Sequence, residues 1–191
     1  GDLVTHSAPW DEWQDEFFEP ALPMLADYPL YPTLGNHEGN HETWYEYMSL
    51  PHNGVGQPGA ESWYTFSYGD VDFFGLNTST SMLEGSDQLE WLRGALSEST
   101  ANWQIAVFHH PPYSCVPVRK PGNLLVQEHF VPVFEELGID LVLMGHDQLD
   151  VRIEVEQLFQ ASMPDFSVTA DDRLHRSSSG SADCEITSRI R

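Results

Sequence analysis

The chain has 191 residues, and its 30 Asp and Glu against 8 Lys and Arg give a formal net charge of -22 at pH 7. This length fits one sizeable domain with its own core. The charge argues against a nucleic-acid backbone or an anionic membrane as partner, because both would be repelled, but it admits an anionic small molecule beside bound metal cations. No apolar run approaches the roughly 20 residues of a membrane-spanning helix.

The distribution of charge and cysteine bears on cellular location. Before residue 152 the basic side chains are Arg93, Arg119 and Lys120. An acidic body that is poor in lysine favours an extracellular, periplasmic or salt-adapted protein, with simple solubility as the alternative. Cys115 and Cys184 leave one disulfide or two thiols open. No targeting segment is recognisable at the start of the chain.

The first part of the chain predicts a strand exit, a helix and a strand. Residues 1–5 are typical of the exit of a strand that begins upstream. Over residues 10–22, large apolar side chains recur at helical spacing, and Pro20 and Pro23 are expected to limit this helix. The apolar run 28–34 then predicts a buried strand that ends in a glycine turn.

Helices and strands alternate in the rest of the body. Two alternating aromatic runs around a Gly-Asp turn predict a hairpin. Ser86 is expected to cap one of the following helices and Gly138 to close another. The predicted elements are a helix at 42–48, a hairpin at 62–77, a helix at 87–96, a strand at 103–108, a helix at 124–137 and a strand at 139–144. Strands separated by amphipathic helices, with one hairpin, predict an α/β fold with a mixed sheet.

Ligand-capable side chains stand at the ends of the predicted strands. Asn36, His109 and His146 each follow an apolar run, and Asp2 lies in the predicted strand exit 1–5. Loops at the carboxyl ends of strands in an open sheet converge on one edge. Carboxylate, amide and imidazole donors suit a metal ion that activates water and holds a phosphoryl group. One histidine at a strand end is more often a packing residue, but four such sites favour a metal centre. His37 is left over as a proton donor.

Four segments resemble, in order and spacing, the motif blocks of the calcineurin-like metallophosphoesterases: Gly-Asp at 1–2, Gly-Asn-His-Glu at 35–38, Val-Phe-His-His-Pro-Pro-Tyr at 107–113 and Gly-His-Asp at 145–147. The aromatic run 63–70 and the Gln-Leu-Glu-Trp-Leu run 88–92 resemble the purple acid phosphatase branch. The resemblance implies an α/β fold, a mixed-sheet sandwich flanked by helices of the metallophosphoesterase type, incomplete at its N terminus.

The resemblance also implies two metal ions, drawn from iron, zinc and manganese, about 3.5–4 Å apart. Asp2 would bridge them, and Asn36, His109 and His146 would ligate the second ion. His37 would contact the phosphate and protonate the leaving alkoxide while a metal-activated water attacks phosphorus in line.

Further candidate residues flank this set. His110 is a candidate ligand, although the family pattern prefers His109 because the family's ligand stands two residues before a proline. Glu38 would orient the preceding histidine or contact the substrate, with a solvated carboxylate as the alternative. Arg119 and Lys120 would help to hold phosphate, or are an ordinary solvated pair.

The sequence departs from the family pattern at both ends. The family's opening block would lie upstream of Gly1, and Thr5 stands where purple enzymes have their ligating tyrosine, so no purple chromophore is expected. Gln148 replaces the second histidine of the last block. The first metal site would therefore keep Asp2 and a weak Gln148 amide, whereas the second would be complete.

The domain boundary is expected near this last block. The resemblance implies a partial metallophosphoesterase domain over 1–150. From 151 to 191 helical and strand periodicity is lost and basic residues accumulate, which predicts an atypical, poorly ordered tail. An incomplete copy of a longer enzyme, with a foreign or shifted reading after the last block, would account for both changes.

The resulting hypothesis is metal-dependent hydrolysis of small phosphate esters by a dinuclear centre, as in acid phosphatases. One alternative is an inactive fragment that keeps one metal site and serves as a binding or structural module, or has no function. A second is a phosphodiesterase or nucleotidase on the same scaffold, differing in its substrate pocket.

Overall fold

A computed structural model describes residues 1–54, 61–114 and 116–147 of the chain. The helices are α1 at 10–25, α2 at Glu42–Tyr47, α3 at Asp87–Glu98 and α4 at 124–137, and the strands are β1 at Tyr64–Tyr68, β2 at Val71–Gly75, β3 at Trp103–Val107 and β4 at Leu141–Leu143. None of these helices is long and apolar enough to cross a membrane. Gln148 and the predicted tail of 151–191 lie outside the described residues.

The four strands form one mixed sheet in the order β1, β2, β3, β4. The predicted hairpin is confirmed, because β1 and β2 pair antiparallel around Gly69, whose positive φ of 60° suits a tight turn. β2 pairs parallel with β3, and β3 with β4, so that Phe74 lies opposite Ala106 and Ala106 opposite Val142. The predicted mixed α/β fold is therefore confirmed, with a single sheet among the described residues.

The face of the sheet that carries Phe74 and Ala106 is covered by α3 and α4. We call this cluster the leucine-rich core; its helical members include Leu89, Leu92, Leu96, Val126, Phe130, Val133 and Phe134. Leu89 and Leu92 are fully buried, and each such side chain contributes about 1.5–3 kcal/mol of burial free energy. The Ser86 hydroxyl accepts from Leu89 N at 3.4 Å, which caps α3 as predicted.

The opposite face of the sheet packs against α1 and α2. We call this cluster the aromatic core; its buried members are Val4, Trp13, Phe17, Leu34, Trp44, Leu50 and Tyr64. Phe66 of β1 stacks on Tyr31 at a ring-centroid distance of 3.9 Å and on Phe73 of β2 at 4.8 Å. Helices therefore flank the sheet on both faces.

The predicted end of α1 at its prolines is wrong. The helix is α-helical over Trp10–Glu12, π-helical over Trp13–Phe18 and α-helical again over Glu19–Leu25. Pro20 thus stands in the first turn of a new α-helical segment, where a backbone N–H is not needed. The helix also continues through Pro23 to Leu25.

The strands predicted at 28–34 and at the exit 1–5 are absent from the described sheet. Pro29 and Pro32 lack the backbone N–H that a strand ladder requires at each bonded position. The segment is instead held by packing and by the Tyr64 hydroxyl, which donates to the Pro32 carbonyl at 2.8 Å. It still delivers Leu34 to the aromatic core and the 35–38 turn to the edge of the sheet.

Candidate metal centre

The parallel strands β3 and β4 deliver two histidines to one edge of the sheet. His109 follows the end of β3 at Val107, and His146 follows the end of β4 at Leu143. The pairing continues past the strands, since Phe108 N donates to Leu143 O and Gly145 N donates to His109 O, both at 3.0 Å. The two imidazole rings therefore lie side by side, with centroids 4.9 Å apart.

Glu38 fixes the first residues of the chain against the 35–38 turn. Its carboxylate is fully buried and accepts backbone N–H groups from Asp2 at 2.8 Å, Leu3 at 2.5 Å and Gly35 at 2.7 Å. Residue 35 has to be glycine, because a Cβ there would overlap the backbone and carboxylate of Asp2. The solvated carboxylate considered for Glu38 is wrong, and its described partners are backbone amides rather than the ring of His37.

The residues predicted to hold the second metal converge on one atom. His109 Nε2 lies 2.9 Å from Asp2 Oδ2, 3.1 Å from Asn36 Oδ1 and 2.9 Å from His146 Nδ1. This ring nitrogen carries at most one hydrogen, whereas Asp2 and Asn36 offer acceptor oxygens and His146 offers a second ring nitrogen. One proton cannot satisfy all three contacts at once, but a cation among the four atoms would. The residues present therefore fit a metal ion.

Two of these residues have strained backbones. Asp2 has φ 57° and His146 has φ 67°, both in the left-handed region that side chains other than glycine rarely adopt. Strain of this kind costs of order 1–3 kcal/mol and collects at functional sites, where the surroundings enforce it. Here the Glu38 carboxylate enforces it at Asp2.

His37 lies beside this group rather than in it. Its backbone N–H donates to Asp2 Oδ1 at 3.0 Å, and its Nδ1 lies 2.9 Å from the Thr5 carbonyl oxygen. A carbonyl only accepts, so Nδ1 carries the hydrogen and Nε2 is the atom free to exchange a proton. Nε2 is 4.0 Å from Asp2 Oδ2, and the side chain is 43% exposed at an open groove of about 380 Å³ that His41 also lines.

The residues after β2 that support the centre were not predicted from the sequence. The Thr78 hydroxyl bonds His110 Nδ1 at 2.8 Å and accepts the His110 N–H at 3.1 Å. Asn77, which is fully buried, donates from its amide to Asn40 Oδ1 at 2.5 Å. The one indication of their role in the sequence is their position after β2, because β2 runs parallel to β3 and ends at the same edge of the sheet.

His110 adjoins the two histidines of the centre. Nitrogen atoms of His109, His110 and His146 all lie within 4.8 Å of one another, which is compatible with a shared ion. Burial lowers the pKa of His110 to about 4, with a further contribution from the charge of His146. Burial also lowers the pKa of His109 and of His146, and the positive charge of Arg119 adds to the effect at His146. All three rings are therefore neutral near pH 7, as metal ligation requires.

A sequence model of the calcineurin-like phosphoesterase family matches residues 1–149. The chain belongs to this family. An uncharacterized protein of Mycobacterium tuberculosis is 24% identical over an alignment of 160 positions that covers 72% of this chain and 30% of that protein. Purple acid phosphatase 18 of Arabidopsis thaliana is 27% identical over an alignment of 157 positions that covers 76% of this chain and 36% of that protein.

Purple acid phosphatase 13 of the same plant is 28% identical over an alignment of 153 positions that covers 74% of this chain and 27% of that protein. A solved purple acid phosphatase from yellow lupin seeds aligns with 48% of this chain and 18% of its own, with a TM-score of 0.44 and 21% identity. The predicted resemblance to the family and to its purple acid phosphatase branch is confirmed by the sequence relatives. The chain spans about a third of the length of the curated relatives it matches.

Proposed function

We propose that this chain hydrolyses phosphate monoesters of small molecules at a dinuclear metal centre. The observation that carries the proposal is the convergence of Asp2, Asn36 and His146 on Nε2 of His109 at 2.9 to 3.1 Å. Three neutral or anionic ligand atoms lie around a fourth, the ring nitrogen of His109, which carries at most one hydrogen. A cation would attract all four atoms. Membership in the calcineurin-like phosphoesterase family supports the reaction class.

The donor atoms limit the choice of metal and suggest a role for each residue. Oxygen and nitrogen donors together suit zinc, iron or manganese. Asn36, His109 and His146 would hold one ion, Asp2 would be shared with a second ion, and Gln148 is a candidate ligand of the second. When bound, such ions supply Lewis acidity that activates water and neutralises charge on the phosphoryl group. Glu38 would support the metal ligands by holding the backbone of Asp2 in place.

His37 would donate a proton to the leaving oxygen of the ester. The Thr5 carbonyl fixes the Nδ1 hydrogen, which directs Nε2 as the transferring atom. The partial exposure of the ring at the open groove leaves room for an ester beside it. A positioned acid of this kind contributes about 10²- to 10⁴-fold to a rate.

An inactive module with one metal is the second candidate. It is favoured by Gln148 in place of the family's second histidine, because an amide oxygen is a weaker ligand for these metals than imidazole. A phosphodiesterase or nucleotidase would share the metal residues and differ in the groups that hold the substrate. An extracellular or periplasmic location stays a prediction from the charge balance.

Elemental analysis of the purified chain, beside hydrolysis of an aryl phosphate with added Mn²⁺, Zn²⁺ or Fe²⁺, tests the proposal. We expect two metal equivalents and turnover in the wild type, loss of both in His109→Ala, and a lowered turnover with metal retained in His37→Ala, with a smaller loss for the aryl phosphate than for an alkyl phosphate. His52→Ala is the matched control, since His52 is 72% exposed and pairs with Glu61. One equivalent without turnover would support the inactive module, and no metal at all would refute both candidates.

A further inference from the structure

Arg119 is the basic side chain that adjoins the candidate metal centre. The basic residues before position 148 are Arg93, Arg119 and Lys120. Arg93 is engaged with two glutamates at 3.4 and 3.6 Å, and Lys120 is exposed. Arg119 instead lines a pocket of about 210 Å³ together with His110 and His146. Of the three basic side chains in the described region, Arg119 is therefore the one that lies beside the histidines to which a phosphoryl group would bind.

The guanidinium of Arg119 has unused hydrogen-bonding capacity. Its Nε lies 3.9 Å from Asp147 Oδ1, an ion-pair distance too long for a hydrogen bond. The Ser114 hydroxyl donates to the other oxygen of Asp147 at 2.5 Å and fixes that carboxylate. Within the part of the chain that the structure describes, Nη1 of Arg119 is buried and has no hydrogen-bond partner. Oδ1 of Asp147 is likewise buried without a partner among the described residues, so at 3.9 Å neither the guanidinium nor this carboxylate oxygen is satisfied by the other. A phosphoryl oxygen that meets the guanidinium after a small rotation of the Arg119 side chain would gain a bond without displacing one.

The loop that carries Arg119 is held in shape by its own backbone. Three hydrogen bonds close it: Asn123 N to Pro111 O at 2.9 Å, Ser114 N to Pro121 O at 3.1 Å and Arg119 N to Val116 O at 2.9 Å. Gly122 adopts φ 111°, and a Cβ there would overlap the Pro112 carbonyl. Because these contacts order the loop in advance, little backbone entropy is lost when Arg119 meets a ligand.

We propose that Arg119 binds a non-bridging phosphoryl oxygen of the substrate and thereby selects phosphate monoesters over diesters. The proposal rests on the proposed function, since it takes the phosphoryl group to lie at the edge formed by His109, His110 and His146. A monoester has three non-bridging oxygens, so two can face the metal centre while the third meets Arg119. A diester has only two and carries one negative charge less, so it leaves the guanidinium without its acceptor.

Binding of inorganic phosphate and of dimethyl phosphate to the full chain, measured by titration calorimetry at pH 8, tests this assignment. Each titration is run with added Mn²⁺ and again after chelation. We expect the wild type to bind phosphate at least about tenfold more tightly than dimethyl phosphate, the size of one charge-assisted hydrogen bond. Arg119→Met should remove this preference, Arg119→Lys should retain part of it, and Lys120→Met should leave it unchanged.

The matched control and the metal measurements separate the two hypotheses. Equal phosphate affinity in the wild type and Arg119→Met, or an equal loss in Lys120→Met, would overturn the role of Arg119 whatever the turnover. The absence of any phosphate binding by the wild type, with and without metal, would overturn it as well. A phosphate preference that depends on Arg119 in a chain that binds no metal would uphold the anion site and refute the proposed hydrolysis. Circular dichroism of each variant checks that the fold is kept.

Discussion

Replacement of Glu38 is the sharpest test of how the fold builds the centre. The buried carboxylate holds three backbone N–H groups, two on Oε2 and one on Oε1. A hydrogen bond to a charged group contributes about 1.5–3 kcal/mol, and a buried donor left alone costs about 1–3 kcal/mol. In Glu38→Gln the amide oxygen can take the place of the carboxylate oxygen that accepts two hydrogen bonds, and the third hydrogen bond is lost. We therefore expect the free energy of unfolding to fall by about 2 kcal/mol. Glu38→Ala loses all three and should lose about 4 kcal/mol or more.

Urea denaturation monitored by tryptophan fluorescence measures these changes in the free energy of unfolding. Glu16→Ala is the matched control, because Glu16 also accepts a backbone N–H, from Thr5 at 2.6 Å, but is exposed, so its loss should change little. Metal affinity should fall with Glu38→Ala, since the Asp2 backbone is no longer held. A cost below about 1 kcal/mol for Glu38→Ala, or one equal to that of the control, would show that the carboxylate does not organise the turn.

Three further predictions concern the histidines. In steady-state assays, His37→Gln should lower the turnover of alkyl phosphates by about 10²-fold or more. The turnover of aryl phosphates should fall much less, because a good leaving group needs little protonation. Equal losses for the two substrates would argue against His37 as a proton donor. Thr78→Val should destabilise the chain by about 1–2 kcal/mol in urea and weaken metal binding, because His110 loses its hydroxyl partner; unchanged metal affinity would place His110 outside the centre. Folding lowers the pKa of His110 to about 4, so as the pH falls this histidine is protonated in the unfolded chain before it is protonated in the folded chain. Without metal, the free energy of unfolding should therefore be highest above about pH 6.5 and fall toward pH 4. His110→Asn should make this pH profile flatter, and a profile identical to that of the wild type would refute the assignment.

The elements that sequence could predict are those whose signals are local. α3 has its cap at Ser86 and its leucines three and four residues apart, and the hairpin has a Gly-Asp turn between alternating aromatic residues. These patterns fix one conformation without knowledge of the rest of the chain. The run 28–34 has an equally apolar pattern, but its conformation depends on whether a neighbouring strand can bond to a segment with two prolines. That information lies in the tertiary fold.

The same distinction applies to the centre. His109 and His146 stand after apolar runs, so their meeting at one edge follows from parallel strand order. Thr78 contacts His110 across 32 positions, and Glu38 contacts Asp2 across 36. No spacing rule relates such partners, so a supporting hydroxyl and a buried carboxylate read in the sequence as ordinary polar residues. The strained backbones of Asp2 and His146 likewise show only in three dimensions.

The two cores on opposite faces of the sheet have a consequence for unfolding. Asp2 and Asn36 are carried by segments anchored in the aromatic core, through Val4 and Leu34, whereas His109 follows a strand that is packed in the leucine-rich core. A metal ion held by all three residues would therefore link the aromatic core to the leucine-rich core. Hydrogen exchange should then slow in both cores together when metal binds, and without metal each core should open separately, with its own protection.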